Sequence, residues 1–175
     1  KIENIVTNNE KQYAQLLDEK NKSDELVNTK IILENKDVLD IYDIKKQLEK
    51  LPNRKIWLKC GGFITIDKTE ALTAIDVNTG KYTGNRNLEQ TLYKVNEEAT
   101  VEIAKQLRLR DIGGIIIIDY IDMKKQENKD KIQKLLEERL KFDRAKTQVE
   151  GFTKLDLMEM TRKHICSHKD RKENI

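Results

Sequence analysis

The sequence predicts an α+β (mixed α/β) fold in which helices pack on a mixed β-sheet, and three observations carry that expectation. Short β-branched runs such as Ile115-Ile116-Ile117-Ile118 alternate along the chain with longer stretches whose apolar residues recur every three or four positions. Turn chemistry separates them at Gly61-Gly62, Asn78-Thr79-Gly80 and Gly113-Gly114. The 175 residues, 37% charged and 37% hydrophobic, suffice for one real core beneath a heavily solvated surface.

Taken in order, Asn8-Asn9 caps an amphipathic helix over 10–20, with Tyr13, Leu16 and Leu17 apolar, and Lys30 to Glu34 is a short strand. Asp37 caps one helix carrying Leu39, Ile41, Tyr42, Ile44 and Leu48, which must stop before Pro52, the only proline. Residues 56–60 and 63–67 flank a two-residue Gly61-Gly62 turn and form a hairpin, and Ala71 to Asn78 is a third strand. Leu88, Leu92, Val95, Ala99, Ile103 and Leu107 mark a long helix, broken at Gly113-Gly114. The four isoleucines after it predict a central strand covered on both faces. A helix over about 125–142, with Ile132, Leu135, Leu136 and Leu140 inward, precedes strands near 147–149 and 157–161. From residue 55 onward the order is therefore βββαβαββ, and the opening third is a partial layer.

No apolar run reaches the roughly 20 residues that cross a bilayer, and the start has no signal-like stretch, so a cytoplasmic protein is expected. Cys60 and Cys166 form no Cys-x-x-Cys pair and are expected as reduced thiols. The net charge of +3 is uneven: residues 1–50 hold 9 basic against 11 acidic side chains, and residues 51–175 hold 25 against 20. That surplus permits a polyanionic partner without requiring one. The start at Lys1 and the charged run at 169–173 read as a piece of a longer chain.

Strand alternation puts Asp76 and Asn78 on one face, and Asp119 ends the isoleucine strand. If those strands are neighbours, Asp76 and Asp119 converge, and two convergent carboxylates are reconciled by a hard cation or a shared proton. Magnesium suits such oxygen ligands and keeps waters that can attack a phosphodiester. The same residues are also ordinary at strand ends, where Asp and Asn-Thr-Gly cap turns, so spacing alone leaves both readings open.

The runs Ile66-Asp67-Lys68-Thr69-Glu70-Ala71-Leu72, Ile75-Asp76-Val77-Asn78-Thr79-Gly80, Asn96-Glu97-Glu98-Ala99, 102–114, Ile118 to Met123, Asp143-Arg144-Ala145-Lys146 and 157–162 together resemble the catalytic region of the ribonuclease E/G family, in the same order. The resemblance is strong over 57–163 and weaker back to about Ile41. It implies a partial RNase H-like subdomain over 1–54, a DNase I-like catalytic subdomain over 55–163 and a charged tail over 164–175. It further implies that Asp76 and Asp119 hold Mg2+, which Mn2+ can replace, that Asn78 supports the site, and that the reaction is endonucleolytic hydrolysis of single-stranded, A/U-rich RNA to 5′-phosphate and 3′-hydroxyl ends in rRNA processing and mRNA decay. The family places an OB-fold domain and a 5′-end sensor before this region and a Cys-Pro-x-Cys zinc link between subunits after it. This sequence contains neither, which leaves homo-oligomer assembly open.

Among the remaining residues, Lys81 and Tyr82 fit stacking on a base and contact with phosphate, or an ordinary surface loop. Arg110, Arg144 and Lys146 are candidates for the RNA backbone, although Arg108 and Arg110 also suit a helix C-terminus without RNA. His164, Cys166 and His168 are too few and too closely spaced for a closed zinc site, so zinc is not expected. Trp57, Phe63 and Tyr93 read as core residues. Two alternatives stand beside the nuclease: a fragment that binds RNA or a subunit without cutting, and a phosphodiesterase or phosphatase with another substrate.

Overall fold

The computed structural model describes residues 2–80 and 88–165, and the chain divides into two compact units, Lys1–Pro52 and Asn53–Ile175. In the first, β1 (Asn4–Thr7) and β2 (Lys30–Leu33) pair in parallel and are joined through α1 (Glu10–Lys22). Asn9 caps α1 by accepting from the backbone N–H groups of Lys11 and Gln12. The expected helix after Asp37 is two helices, α2 (Val38–Ile41) and α3 (Ile44–Lys50). Asp43 divides them by taking a left-handed backbone (φ 54°), which aspartate tolerates better than most residues. The strand β1, only four residues long, was not predicted.

The second unit has the order expected: β3 (Lys55–Trp57), β4 (Phe63–Lys68), β5 (Leu72–Asn78), α4 (Leu88–Leu109), β6 (Gly114–Asp119), α5 (Gln126–Leu140), β7 (Thr147–Phe152) and β8 (Leu157–Arg162). The sheet runs β3-β4-β5-β6-β8-β7, antiparallel throughout except that β5 and β6 are parallel. This is an α+β fold with a mixed sheet. The β3–β4 connection is longer than the expected Gly-Gly turn: pairing ends at Trp57 and Phe63, and five residues intervene, with the Leu58 N–H donating to the Gly62 carbonyl. Helix α4 ends at Leu109, before the glycines; Asp111 just beyond it is left-handed (φ 46°), and the Ile112 N–H closes back on the Leu107 carbonyl.

One face of the sheet supplies Ile64, Ile75, Val77, Ile116, Ile118, Met158 and Met160 to a core completed by Val95, Ala99, Ile103 and Leu107 of α4 and Ile132, Leu136 and Leu140 of α5. Each such large side chain contributes about 1.5–3 kcal/mol relative to exposure. The other face is open. Ile115 is 51% exposed and Ile117 is half-buried, so β6 is covered on one side rather than two. The same parity puts Asp119 on the open face. Trp57, on the same face, is 61% exposed and not a core residue, whereas Phe63 and Tyr93 are half-buried.

Candidate active site

The parallel pairing of β5 and β6 sets Asp76 directly opposite Asp119, at the ends of both strands and on the open face. The crossover through α4 makes this possible, because adjacent parallel strands need a long connection. The Asn78 side-chain amide donates to an Asp76 carboxylate oxygen, which fixes that carboxylate without adding charge. The carboxyl of Asp119 is raised above the usual aspartate range, first by burial and then by the negative charges of Asp76 and Asp122. Arg54 stands nearby: it forms a two-toothed pair with Asp67, and its pKa is raised by that pair and by the charge of Asp76.

Both strand ends are tied to α4. Buried Asn96 receives the Ile121 N–H on its carbonyl oxygen (3.0 Å) and donates to the Ile121 carbonyl (2.7 Å), gripping the chain two residues after Asp119. Thr100 bonds the Tyr120 hydroxyl (2.9 Å), whose pKa burial pushes up, and Glu89 accepts from the N–H groups of Lys124 and Lys125. On the other side, the Glu98 carboxylate accepts from the N–H groups of Lys59 and Cys60. That loop abuts β5, since a Cβ on Gly62 would lie 2.8 Å from the Asn78 carbonyl. A side chain there would displace the turn that holds Asn78.

The other sequence-derived candidates fall elsewhere. The Arg110 guanidinium donates to Gln106 Oε1 (2.7 Å) and to the Asn53 carbonyl (2.9 Å), so contacts within the fold occupy it. Arg144 and Lys146 are exposed in the segment that leads into β7. Lys81 and Tyr82 lie outside the described residues, as do Cys166 and His168; His164 Nδ1 is 2.9 Å from the Asp111 carbonyl. Sequence reasoning missed Arg162, whose fully buried side chain pairs with Asp143 and Asp111, each at 2.8 Å. It also missed the roles of Asn96 and Glu98. Their only signal was their place in a run shared with a known family.

The donor set at Asp76 and Asp119 is all oxygen, and among the described residues no group of three or more His, Cys, Asp or Glu could hold a metal ion. Two carboxylates with room for water fit magnesium, which is bound through one or two carboxylates; they do not fit the larger oxygen cage of calcium or the nitrogen and sulfur set of zinc.

Comparison with known proteins gives the family. Ribonuclease G of Salmonella typhimurium (strain SL1344) and of Escherichia coli (strain K12) are each 48% identical over 126 residues, covering 72% of this chain and 26% of theirs. Ribonuclease E of Escherichia coli (strain K12) is 43% identical over 124 residues, 71% of this chain and 12% of its own. The chain thus spans about a quarter of the length of the ribonuclease G relatives. The model of the Ribonuclease E/G family matches residues 1–165, nearly the whole sequence, and the chain belongs to that family.

Proposed function

We propose that the chain carries the catalytic part of a Mg2+-dependent endoribonuclease that hydrolyses single-stranded, A/U-rich RNA to 5′-phosphate and 3′-hydroxyl ends, acting in the cytoplasm in rRNA processing and mRNA decay. The observation that carries the reading is the in-register pair of Asp76 and Asp119 on an open sheet face, with Asn78 on Asp76. Asp76 and Asp119 would hold the cation. Bound there, Mg2+ (or Mn2+) would supply an acidified water as nucleophile and a positive charge to offset the negative charge that develops on the phosphodiester. Asn78 keeps Asp76 aimed, and Asn96 fixes the backbone behind Asp119. Burial and the charges of Asp76 and Asp122 raise the Asp119 carboxyl, and a cation held by the pair would offset that repulsion.

Residues 1–54 are assigned as part of an RNase H-like subdomain and 55–163 as the DNase I-like one. Arg144 and Lys146 are exposed basic groups available for phosphate contact, with Lys81 and Tyr82 as further candidates. Among the described residues no helix is long and apolar enough to cross a membrane. The short span relative to ribonuclease G favours a second reading, a fragment that binds RNA or a subunit but does not cut alone. Incubating a short A/U-rich oligonucleotide with Mg2+ and with EDTA separates the two. Metal-dependent cleavage with the stated ends supports the nuclease, and shifted but uncut RNA in both supports the binder.

A further inference from the structure

Two rows of side chains cross the open face of the sheet. Strand register aligns Lys55, Thr65, Asp76 and Asp119 in one row and Trp57, Phe63 and Asn78 in the next. The ring centroids of Trp57 and Phe63 are 5.3 Å apart with planes at 62°, and the Lys55 ammonium lies 4.2 Å from the Trp57 ring centroid and 3.5 Å from that of Phe63. Trp57 nevertheless remains 61% exposed. A single exposed aromatic is unremarkable on a surface. Here an exposed indole, a second ring and a cation share the face of the acid pair, with Phe63 paired to Asn78 and Trp57 one strand further, about 10 Å from Asn78 at the usual strand spacing.

We propose that Trp57, Phe63 and Lys55 form a base-stacking subsite for single-stranded RNA, seating a nucleotide next to the phosphodiester at Asp76 and Asp119. The proposal rests on the nuclease reading above. The exposed indole of Trp57, braced by Phe63, offers a stacking surface indifferent to base identity, and the Lys55 ammonium beside it meets the adjoining phosphate. An apolar protein surface fits less well, because docking it would strip water from Lys55 without supplying an anion. The negative charges of Asp76 and Asp119 argue in the same direction, since they repel a strand unless a cation is bound, and Lys55 supplies fixed attraction beside them.

Trp57 is the only tryptophan, so its emission reports on the subsite directly. The test titrates the full 175-residue chain with a short A/U-rich single-stranded RNA in EDTA, and with the same strand made abasic. Saturable quenching by the first and much weaker binding of the second are expected. Trp57→Ala should weaken RNA binding by about 5- to 150-fold, the range for one stacked base, measured by anisotropy of labelled RNA. Trp57→Phe should retain most of the affinity, and Lys55→Ala should flatten the salt dependence. Because Trp57 is exposed, these variants should keep the wild-type circular dichroism and melting temperature. Unchanged affinity in Trp57→Ala, or equal binding of abasic RNA, overturns the subsite even if cleavage proceeds normally. Quenching and stacking without metal-dependent cleavage would support the subsite and refute the nuclease reading instead.

Discussion

Replacing Asn96 by alanine should disable the proposed site while leaving the sheet intact. The side chain is fully buried, and its two hydrogen bonds to Ile121, at 2.7 and 3.0 Å, go to one backbone segment. Alanine leaves the Ile121 N–H and carbonyl without those partners. An unsatisfied buried group costs about 1–3 kcal/mol, and half-buried Ile121 lets water recover part of that, so the loss should be about 2–3 kcal/mol for the pair. For a unit of somewhat over a hundred residues this lowers Tm by about 8–12 °C. Asp119 lies two residues upstream of the released segment, and a displacement of about 1 Å at a reacting centre can cost about 100-fold in rate. Hence kcat for the oligonucleotide should fall by about 10- to 100-fold at 25 °C, where the variant stays folded, with KM changed little. Affinity for Mn2+, followed by paramagnetic relaxation, should weaken in parallel. A lowered Tm with unchanged kcat and Mn2+ affinity would show that Asn96 supports the fold alone, and an unchanged Tm would refute the hydrogen-bond accounting.

Three further outcomes are expected. Asp76→Asn and Asp119→Asn should each remove Mg2+-dependent cleavage while the circular dichroism stays that of the wild type; full activity in both would remove the proposed mechanism. Because the folded carboxyl of Asp119 is raised, the folded chain holds that proton more tightly than the unfolded one, and stability drains away as pH climbs above the ordinary value of 3.8. Metal-free Asp119→Asn should therefore melt slightly above wild type at pH 7, with the difference closing toward pH 3.5, and a gap that widens on acidification would reverse the sign. Arg162→Met should cost about 3–5 kcal/mol, or about 12–20 °C in Tm, because it strands the Asp143 carboxylate, 2% exposed, without its partner; a loss below about 1 kcal/mol would mean that the carboxylate takes a proton or finds water.

Periodicity made most of the second unit legible. Alternating strands and three-four spaced helices are local patterns, and both survive in the observed order from β3 to β8. The Asp76 and Asn78 side of β5 followed from the same alternation. Their meeting with Asp119 did not, since no local pattern specifies which strands become neighbours across the 22-residue crossover helix. Four consecutive isoleucines read as burial on both faces, yet only Ile116 and Ile118 face the helices, because the opposite face carries the acid pair and must stay open. Arg162 escaped notice because a charged residue in an alternating strand reads as solvent-facing, and its two aspartate partners lie 19 and 51 residues away.

Helix α4 links the two halves of the site, and this yields the strongest test of their coupling. Asn96 holds the segment after Asp119, and Glu98 holds the loop that abuts the Asn78 turn, so the spacing of the two carboxylates is governed by one rigid helix. The two side chains bind different backbone segments and share no partner. Losses of stability in Asn96→Ala and Glu98→Ala should therefore add within about 0.5 kcal/mol in the double variant. Their effects on metal affinity and kcat should not add. A cation held by two carboxylates is already poorly held once one of them has shifted, so the second shift removes less than it would alone. Measuring Tm, Mn2+ affinity and kcat in the wild type, both single variants and the double variant separates the cases. Additive loss in all three quantities would mean that Asp76 and Asp119 act independently, and that a shared cation between them is the wrong account of this pair.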